Sequence, residues 1–276
     1  VPELPEVETV RLGLNQVTLR QPIHSGEVLL ERTIAAPDPS AFLKQLQDSA
    51  IVIWHRYGKY LLAELDSGAY LGVHLRMTGQ LLWMDQAEPL QKHTRVRLFF
   101  DRNRELRFVD QRTFGQMWYV PPACDPKTVM TGLQNLGPEP FSEAFSDRYL
   151  IEQLKGRQRP IKNALLDQSL VAGVGNIYAD EALFLSGIHP TTLCAKLSQS
   201  KIKQLRENVI RVLQDSIAAR GTSFSDFRDV SGVNGNYGGI AWVYGRDGEA
   251  CRTCQTIVER VKLAGRSAHF CPTCQR

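Results

Sequence analysis

The chain has 276 residues, 43% hydrophobic and 22% charged, with a formal net charge of +4. That composition excludes a disordered polymer and a uniformly basic chain, and the length leaves room for two domains or one domain plus a module. With no run of 18 apolar residues and no basic start followed by an apolar stretch, neither a membrane span nor a secretory signal is expected, and the protein is read as cytoplasmic.

The chain opens Val1-Pro2-Glu3-Leu4-Pro5-Glu6-Val7-Glu8. A proline at a true N-terminus is a secondary amine, and an α-amino group titrates near ~8, well below lysine. Such an amine attacks an aldehyde carbon to form an iminium, an electron sink, and the neighbouring carboxylate can move protons. As written, Val1 acylates Pro2. The expectation is that Val1 is a literal translation of a non-standard start codon, and that the initiator is removed to free Pro2. The same prolines also suit a plain helix start.

Leu4, Val7, Val10 and Leu14 recur at helical spacing and predict a helix over residues 5–16. From about residue 25 to 120 the pattern becomes strand-like: residues 51–54, 60–65, 70–75, 94–99 and 105–109, with a turn at 101–104. Short strands at hairpin spacing predict a sandwich or barrel. Residues 132–140, rich in Gly and Pro, read as a linker, and beyond it the pattern turns helical. The clearest stripe is Ile202, Leu205, Val209, Leu213 and Ile217, ended by Gly221. Residues 221–240 read as a long loop. The expected domains are therefore 2–131, a 132–140 linker, 141–239 and a 240–276 module.

That module carries Cys251-x2-Cys254-x16-Cys271-x2-Cys274. Two cysteine pairs on tight turns share one tetrahedral zinc ion, and four protein ligands make the site structural. About 37 residues bury too little to fold unaided, so metal supplies the folding energy. Cys124 and Cys194 stand apart as ordinary thiols, and a reducing compartment fits. Arg260, Lys262 and Arg266 lie between the cysteine pairs on an expected hairpin, a pattern suited to phosphate or to a solvated face. A second basic run, Lys155, Arg157, Arg159 and Lys162, precedes Gly173-Val-Gly-Asn176. Glycines before a helix let backbone N–H groups approach an anion, and also serve as a cap. Lys59 follows the turn residue Gly58 and could be an edge guard. Met77, Arg112 and Phe114 sit on two tight turns and would suit a wedge into a base stack.

Together these motifs resemble the formamidopyrimidine-DNA glycosylase family. The resemblance rests on Pro2-Glu-Leu-Pro-Glu-Val-Glu8, Gly58-Lys59, Arg112-Thr-Phe114, Leu136-Gly-Pro-Glu-Pro140, Gly173-Val-Gly-Asn176-Ile-Tyr, Tyr244-Gly-Arg246 and the four cysteines, in family order from residue 2 to 276. It implies an α+β multidomain fold: an N-terminal β-sandwich with flanking helices, a helix–two-turn–helix region and a C-terminal zinc finger. It implies a bifunctional DNA glycosylase/AP lyase of base excision repair acting on oxidised purines in damaged double-stranded DNA, as a monomer, with one structural zinc and no catalytic metal. By resemblance Pro2 is the nucleophile, Glu3 the proton donor and relay, Glu6 a supporting carboxylate, Lys59 an agent of β-elimination and Arg266 of δ-elimination. Met77, Arg112 and Phe114 fill the gap left by the flipped nucleotide. His93, Arg112, Arg157, Lys162 and Asn176 fall among DNA contacts, and 221–240 covers the extruded base. Two alternatives stay open. One is the sister enzyme for oxidised pyrimidines, and the other is a non-catalytic zinc-finger DNA binder should Val1 be retained.

Overall fold

Leu4, Val7, Val10 and Leu14, none of them exposed, line the buried face of helix α1 (Leu4–Val17). A computed structural model of the chain describes residues 2–221 and 228–276. It divides into two units, Val1–Gln134 with Arg220–Gly235, and Asn135–Ala219 with Asn236–Arg276.

In the first unit α1 is followed by β1 (Ser25–Val28), β2 (Ile34–Ala36), α2 (Pro39–Leu46), β3 (Ile51–Tyr57), β4 (Tyr60–Leu65), β5 (Tyr70–His74), β6 (Gly79–Asp85), β7 (Thr94–Phe100), β8 (Arg104–Asp110), β9 (Gln116–Val120) and the short α3 (Pro126–Val129). The strands form two sheets, ordered β1-β7-β8-β6 and β2-β9-β5-β4-β3. Among these pairings only β2–β9 is parallel. One apolar cluster draws Leu61, Leu71 and Val73 from one sheet and Leu81, Val96, Leu98 and Phe108 from the other, together with α1. This is the expected β-sandwich. Burial alternates along β7, with Thr94, Val96, Leu98 and Phe100 facing inward. Arg102 (φ 55°) and Asn103 (φ 58°) then turn the chain into β8.

Strand β3 is a sheet edge, and α1 covers part of it. The Asn15 amide accepts from Trp54 N at 2.8 Å and donates to Trp54 O at 3.1 Å, occupying groups that another strand would otherwise pair. That clasp fixes α1, and with it the start of the chain, against the sandwich. Residues 220–235 also belong to this unit. Val230 joins the sandwich core, and its carbonyl accepts Trp83 N–H at 2.9 Å.

The second unit holds α4 (Asp147–Leu154), α5 (Ile161–Leu165), α6 (Asn176–Leu185), α7 (Gln199–Ala218) and the hairpin β10 (Glu259–Leu263) and β11 (Arg266–Phe270). Ser146 and Ser198 cap α4 and α7 by accepting Tyr149 and Lys201 N–H groups. The apolar stripe of α7 is buried from Ile202 to Leu213. Between α5 and α6 the Gln168 amide accepts Gly173 N–H and donates to Val174 O, closing the turn that delivers Asn176 to the start of α6. Among the described residues no helix is long and apolar enough to cross a membrane.

Candidate active site and metal centre

The acidic start of α1 folds back on itself. Glu3 and Glu6 form a reciprocal capping box, in which Glu3 N–H donates to Glu6 Oε2 at 2.8 Å. Glu3 is 3% exposed and Glu6 not at all, so two carboxylates lie buried at a helix N-terminus, whose dipole favours their charge. Pro2 is buried at the same end, and Val1 lies outside the described residues. Gly221 (φ +80°) closes against this pair: a Cβ there would stand 3.0 Å from Glu6 Oε1. A Cβ on Gly235 would collide with the Arg220 and Gly221 carbonyls. The two stems of the expected covering segment therefore meet beside Glu6. Residues 222–227 of that segment lie outside the described residues.

Lys59 is half-buried at the β3–β4 turn, where Gly58 takes φ 55°. Arg56 ties this turn to α1. It donates to Gly58 O at 3.0 Å and to Glu8 Oε2 at 2.9 Å, while Arg11 holds Glu8 Oε1 at 2.6 Å. Burial works against the Glu8 carboxylate, but the two guanidinia outweigh it and hold its pKa below the ordinary value. Glu8 is thus an ionised post between the helix of Pro2 and the turn of Lys59.

His74 ends β5. Strand pairing places it opposite Tyr60, the residue after Lys59, with the two rings edge-on at 4.4 Å. Its Nδ1 accepts Arg76 N–H at 3.0 Å, which puts the proton of the neutral ring on Nε2. Burial first, then the charges of Arg76 and Lys59, lower its pKa to about 3. The unfolded chain takes up this proton below its ordinary value of ~6.5, while the fold refuses it until about 3. The contribution is therefore complete above pH ~6.5 and lost progressively as pH falls toward 3. Acidification from pH 7 to 5 is expected to remove about 2 kcal/mol through this group. Urea unfolding at the two pH values should show a smaller loss for His74→Gln than for the parent, and equal losses would contradict the assignment.

Met77, Arg112 and Phe114 are brought together by a residue the sequence reading did not single out. The Asp110 carboxylate accepts the Thr78 hydroxyl and, at 2.7 Å, Gly115 N–H, while Thr78 Oγ1 accepts Arg112 N–H at 2.9 Å. This cross-brace joins the turns at 75–79 and 110–115. It holds Thr113 at φ 58°, a conformation rare for a β-branched residue. Phe114 is 54% exposed beneath the Arg112 guanidinium, 5.2 Å away, and Met77 is half-buried. His93 reaches the same brace. Its carbonyl accepts Asp110 N–H, and its ring meets Arg95, whose Nε donates to Asp110 O.

In the second unit the four cysteine sulfurs lie within 4.8 Å of one another. Cys254 and Cys271 are 3.4 Å apart and Cys251 and Cys274 3.9 Å, far longer than a disulfide. A tetrahedral zinc with ~2.3 Å bonds places its sulfurs about 3.8 Å apart, so the donor set fits that ion. All four positions would be protein thiolates, and zinc there supplies structure. The Tyr244-Gly-Arg246 motif anchors the module. The buried Glu181 carboxylate of α6 accepts the N–H groups of Trp242, Val243 and Tyr244 at 2.7–2.9 Å. Arg246 donates to the Trp242 and Ala250 carbonyls.

Arg266 is exposed at the hairpin tip, where it lines a hollow of about 300 Å³ with Arg260, Val261, Lys262, Gly265 and Ser267. Asn176 is partly buried. Its Nδ2 donates to Ser267 Oγ at 3.3 Å, and its Oδ1 is buried without a hydrogen-bond partner among the described residues. Lys162 is 1% exposed, with its ammonium 2.6 Å from Asp180 Oδ1. Arg157 is partly exposed and donates to Gln153. Arg159 is occupied by Asp167 and Asn163 O.

Fold and site define a class: an α+β protein with a buried acid pair and a lysine turn on a β-sandwich, and a four-cysteine zinc module on a helical unit. Residues 1–117 match the formamidopyrimidine-DNA glycosylase N-terminal domain, 136–228 its H2TH domain, and 248–276 the zinc finger found in FPG and IleRS. The chain is 65% identical over 281 residues to a formamidopyrimidine-DNA glycosylase of Acaryochloris marina, covering 100% of this chain and 99% of that one. It resembles the Lactococcus lactis FPG (MutM) in complex with a Fapy-dG containing DNA (TM-score 0.91, 35% identity, 99% of this chain and 100% of that one). It also resembles MutM in complex with carbocyclic 8-oxo-G containing DNA (TM-score 0.91, 36% identity, 100% of both chains). The chain belongs to the formamidopyrimidine-DNA glycosylase family.

Proposed function

We propose that this chain is a bifunctional DNA glycosylase and AP lyase that removes oxidised purines from duplex DNA in base excision repair, acting in the cytoplasm. The observation that carries the reading is the buried Glu3–Glu6 pair at the N-terminus of α1, beside Pro2 and closed by Gly221. Relatives of the same architecture are seen with Fapy-dG and 8-oxo-G containing DNA, which supports the substrate class.

With no residue before it, the Pro2 nitrogen adds to the deoxyribose C1′. The bond from C1′ to the base breaks, its electrons leave with the base, and the departing base takes up the proton shed by the Pro2 nitrogen. Glu3 supplies the proton as the sugar ring opens, leaving an iminium between Pro2 and C1′. The iminium acidifies C2′. Loss of a C2′ proton breaks the C3′–O bond, with Lys59 acting in this β-elimination. A second elimination breaks C5′–O, with Arg266 beside the departing phosphate, and hydrolysis returns Pro2. Glu6 orients Glu3 through the capping box. Met77, Arg112 and Phe114 occupy the space of the extruded nucleotide, offsetting an unstacking cost of a few kcal/mol. His93, Arg157 and Asn176 form the polar DNA-facing set, and the buried Lys162 supports it from beneath through Ser267 O. In this reading residues 2–131 carry the chemistry up to the second elimination, 141–239 and 240–276 grip DNA, the latter also supplying Arg266, and 132–140 joins them.

Borohydride reduction on an 8-oxoguanine:C duplex, followed by peptide mapping, tests this. The expected product is one covalent adduct on the nitrogen of Pro2 in a chain that begins there. An adduct on Lys59 would displace Pro2 as nucleophile. Excision of thymine glycol in strong preference to 8-oxoguanine would move the substrate to oxidised pyrimidines.

A further inference from the structure

Asp180 is a fully buried carboxylate on α6 that the chemistry above does not use. Its Oδ1 lies 2.6 Å from Lys162 Nζ on α5. Its Oδ2 accepts His269 N–H at 2.9 Å and meets His269 Nδ1 at 3.1 Å. Lys162 Nζ in turn donates to Ser267 O. The Asp180 and Lys162 side chains are 0% and 1% exposed.

The two backbone groups they hold, Ser267 O and His269 N, lie on either side of Ala268 in β11, the second strand of the hairpin. One residue of a parallel strand would make these same two bonds, donating to the carbonyl of residue i−1 and accepting from the N–H of residue i+1. The Lys162–Asp180 ion pair therefore stands in for a third strand on a two-stranded hairpin. Such a hairpin is marginal by itself, and every residue of β10 from Glu259 to Lys262 is exposed. Arg266 is the first residue of β11, directly before the gripped Ser267 and after a turn through Ala264 (φ 46°) and Gly265 (φ 81°). The orientation of β11 sets where its guanidinium lies. Removing one partner of a buried pair leaves the other charge uncompensated, so the grip fails as a unit.

We infer that Asp180, acting through Lys162 and the β11 backbone, is a positioning residue for Arg266 and hence for the second strand cut. This rests on the assignment of δ-elimination to Arg266. The effect is selective, because among the described residues the bonding partners of Asp180 are Lys162 and His269, neither of them a zinc cysteine.

The test compares Asp180→Ala, Asp180→Asn, Arg266→Ala and Asp180→Ala/Arg266→Ala in the full-length zinc-loaded protein on an abasic-site duplex. The readouts are zinc content, the rate of borohydride trapping and the ratio of δ- to β-elimination product. Asp180→Ala is expected to lower the ratio about tenfold while trapping stays within about twofold and zinc stays stoichiometric. Asp180→Asn keeps an oxygen for His269 N–H and should fall between it and the parent. The double variant should be no worse than Arg266→Ala alone, since both act on one step. An unchanged ratio in both Asp180 variants, alongside a lowered ratio in Arg266→Ala, overturns the inference and spares the role of Arg266. An unchanged ratio in Arg266→Ala overturns both, with the fault in the role of Arg266. If Asp180→Ala loses zinc, the Asp180→Asn ratio decides: a fall at full zinc supports positioning, and no change refutes it.

Discussion

Glu3→Gln is expected to lower single-turnover excision of 8-oxoguanine by about 10²- to 10⁴-fold, the range for losing a positioned proton-transfer group. The substitution is nearly isosteric and keeps a side-chain oxygen for the capping box with Glu6. Its effect on folding should therefore be small, about 1 kcal/mol, the scale of an N-cap interaction. What is lost is the ability to deliver and retrieve a proton beside Pro2. Pro2 itself is untouched, so an abasic duplex, which needs no base expelled, should still give a borohydride adduct. The pair of measurements separates proton relay from nucleophile. Excision within tenfold of the parent would show that another group moves the proton.

Removal of zinc should have the second large effect. Among the described residues the apolar cluster around the module comprises Phe184, Val243, Cys251, Val258 and Cys271, with a few half-buried neighbours. Two of those five are themselves metal ligands, so the cluster disperses when the sulfurs are no longer held together. Structural zinc contributes on the order of 10–16 kcal/mol to comparable small modules, far more than this cluster can supply. Chelation to zero bound metal is expected to melt β10 and β11, displace Arg266 and weaken binding to an abasic-analogue duplex at least about a hundredfold. The sandwich has its own core, drawn from two sheets and α1, and should keep its thermal transition. Full-strength binding by metal-free protein would remove the finger from the DNA-binding surface.

Local elements were legible because their signals span only a few residues. A helix writes its period within two turns, as α7 does with Ile202, Leu205 and Val209. A strand writes its alternation within seven residues, as β7 does, and paired cysteines state their metal chemistry through spacing alone. The acid pair of α1 was legible for the same reason, since Glu3 and Glu6 are three residues apart and cap one helix turn.

Other features depended on partners far away in the chain. His74 resists protonation because the pairing of β4 with β5 buries it against Tyr60, with the charges of Arg76 and Lys59 adding to the effect. Asp110 gains its bracing role from Thr78, on a turn 32 residues earlier. Lys162 reads in sequence as one of four basic residues near a glycine turn, and folding buries it against Asp180 and a backbone carbonyl 105 residues away. Arg159, one of the basic run in sequence, is bound to a carboxylate and a carbonyl of its own unit, and Arg246 to two carbonyls.

Composition, periodicity and motif order thus determined the sandwich, the helical region and the four-cysteine centre. Tertiary structure decided which cations hold protein groups, which histidine refuses its proton and which aspartates set the geometry. The physical reason is that desolvation and charge pairing depend on neighbours in space, and those neighbours exist only once strands and helices have paired.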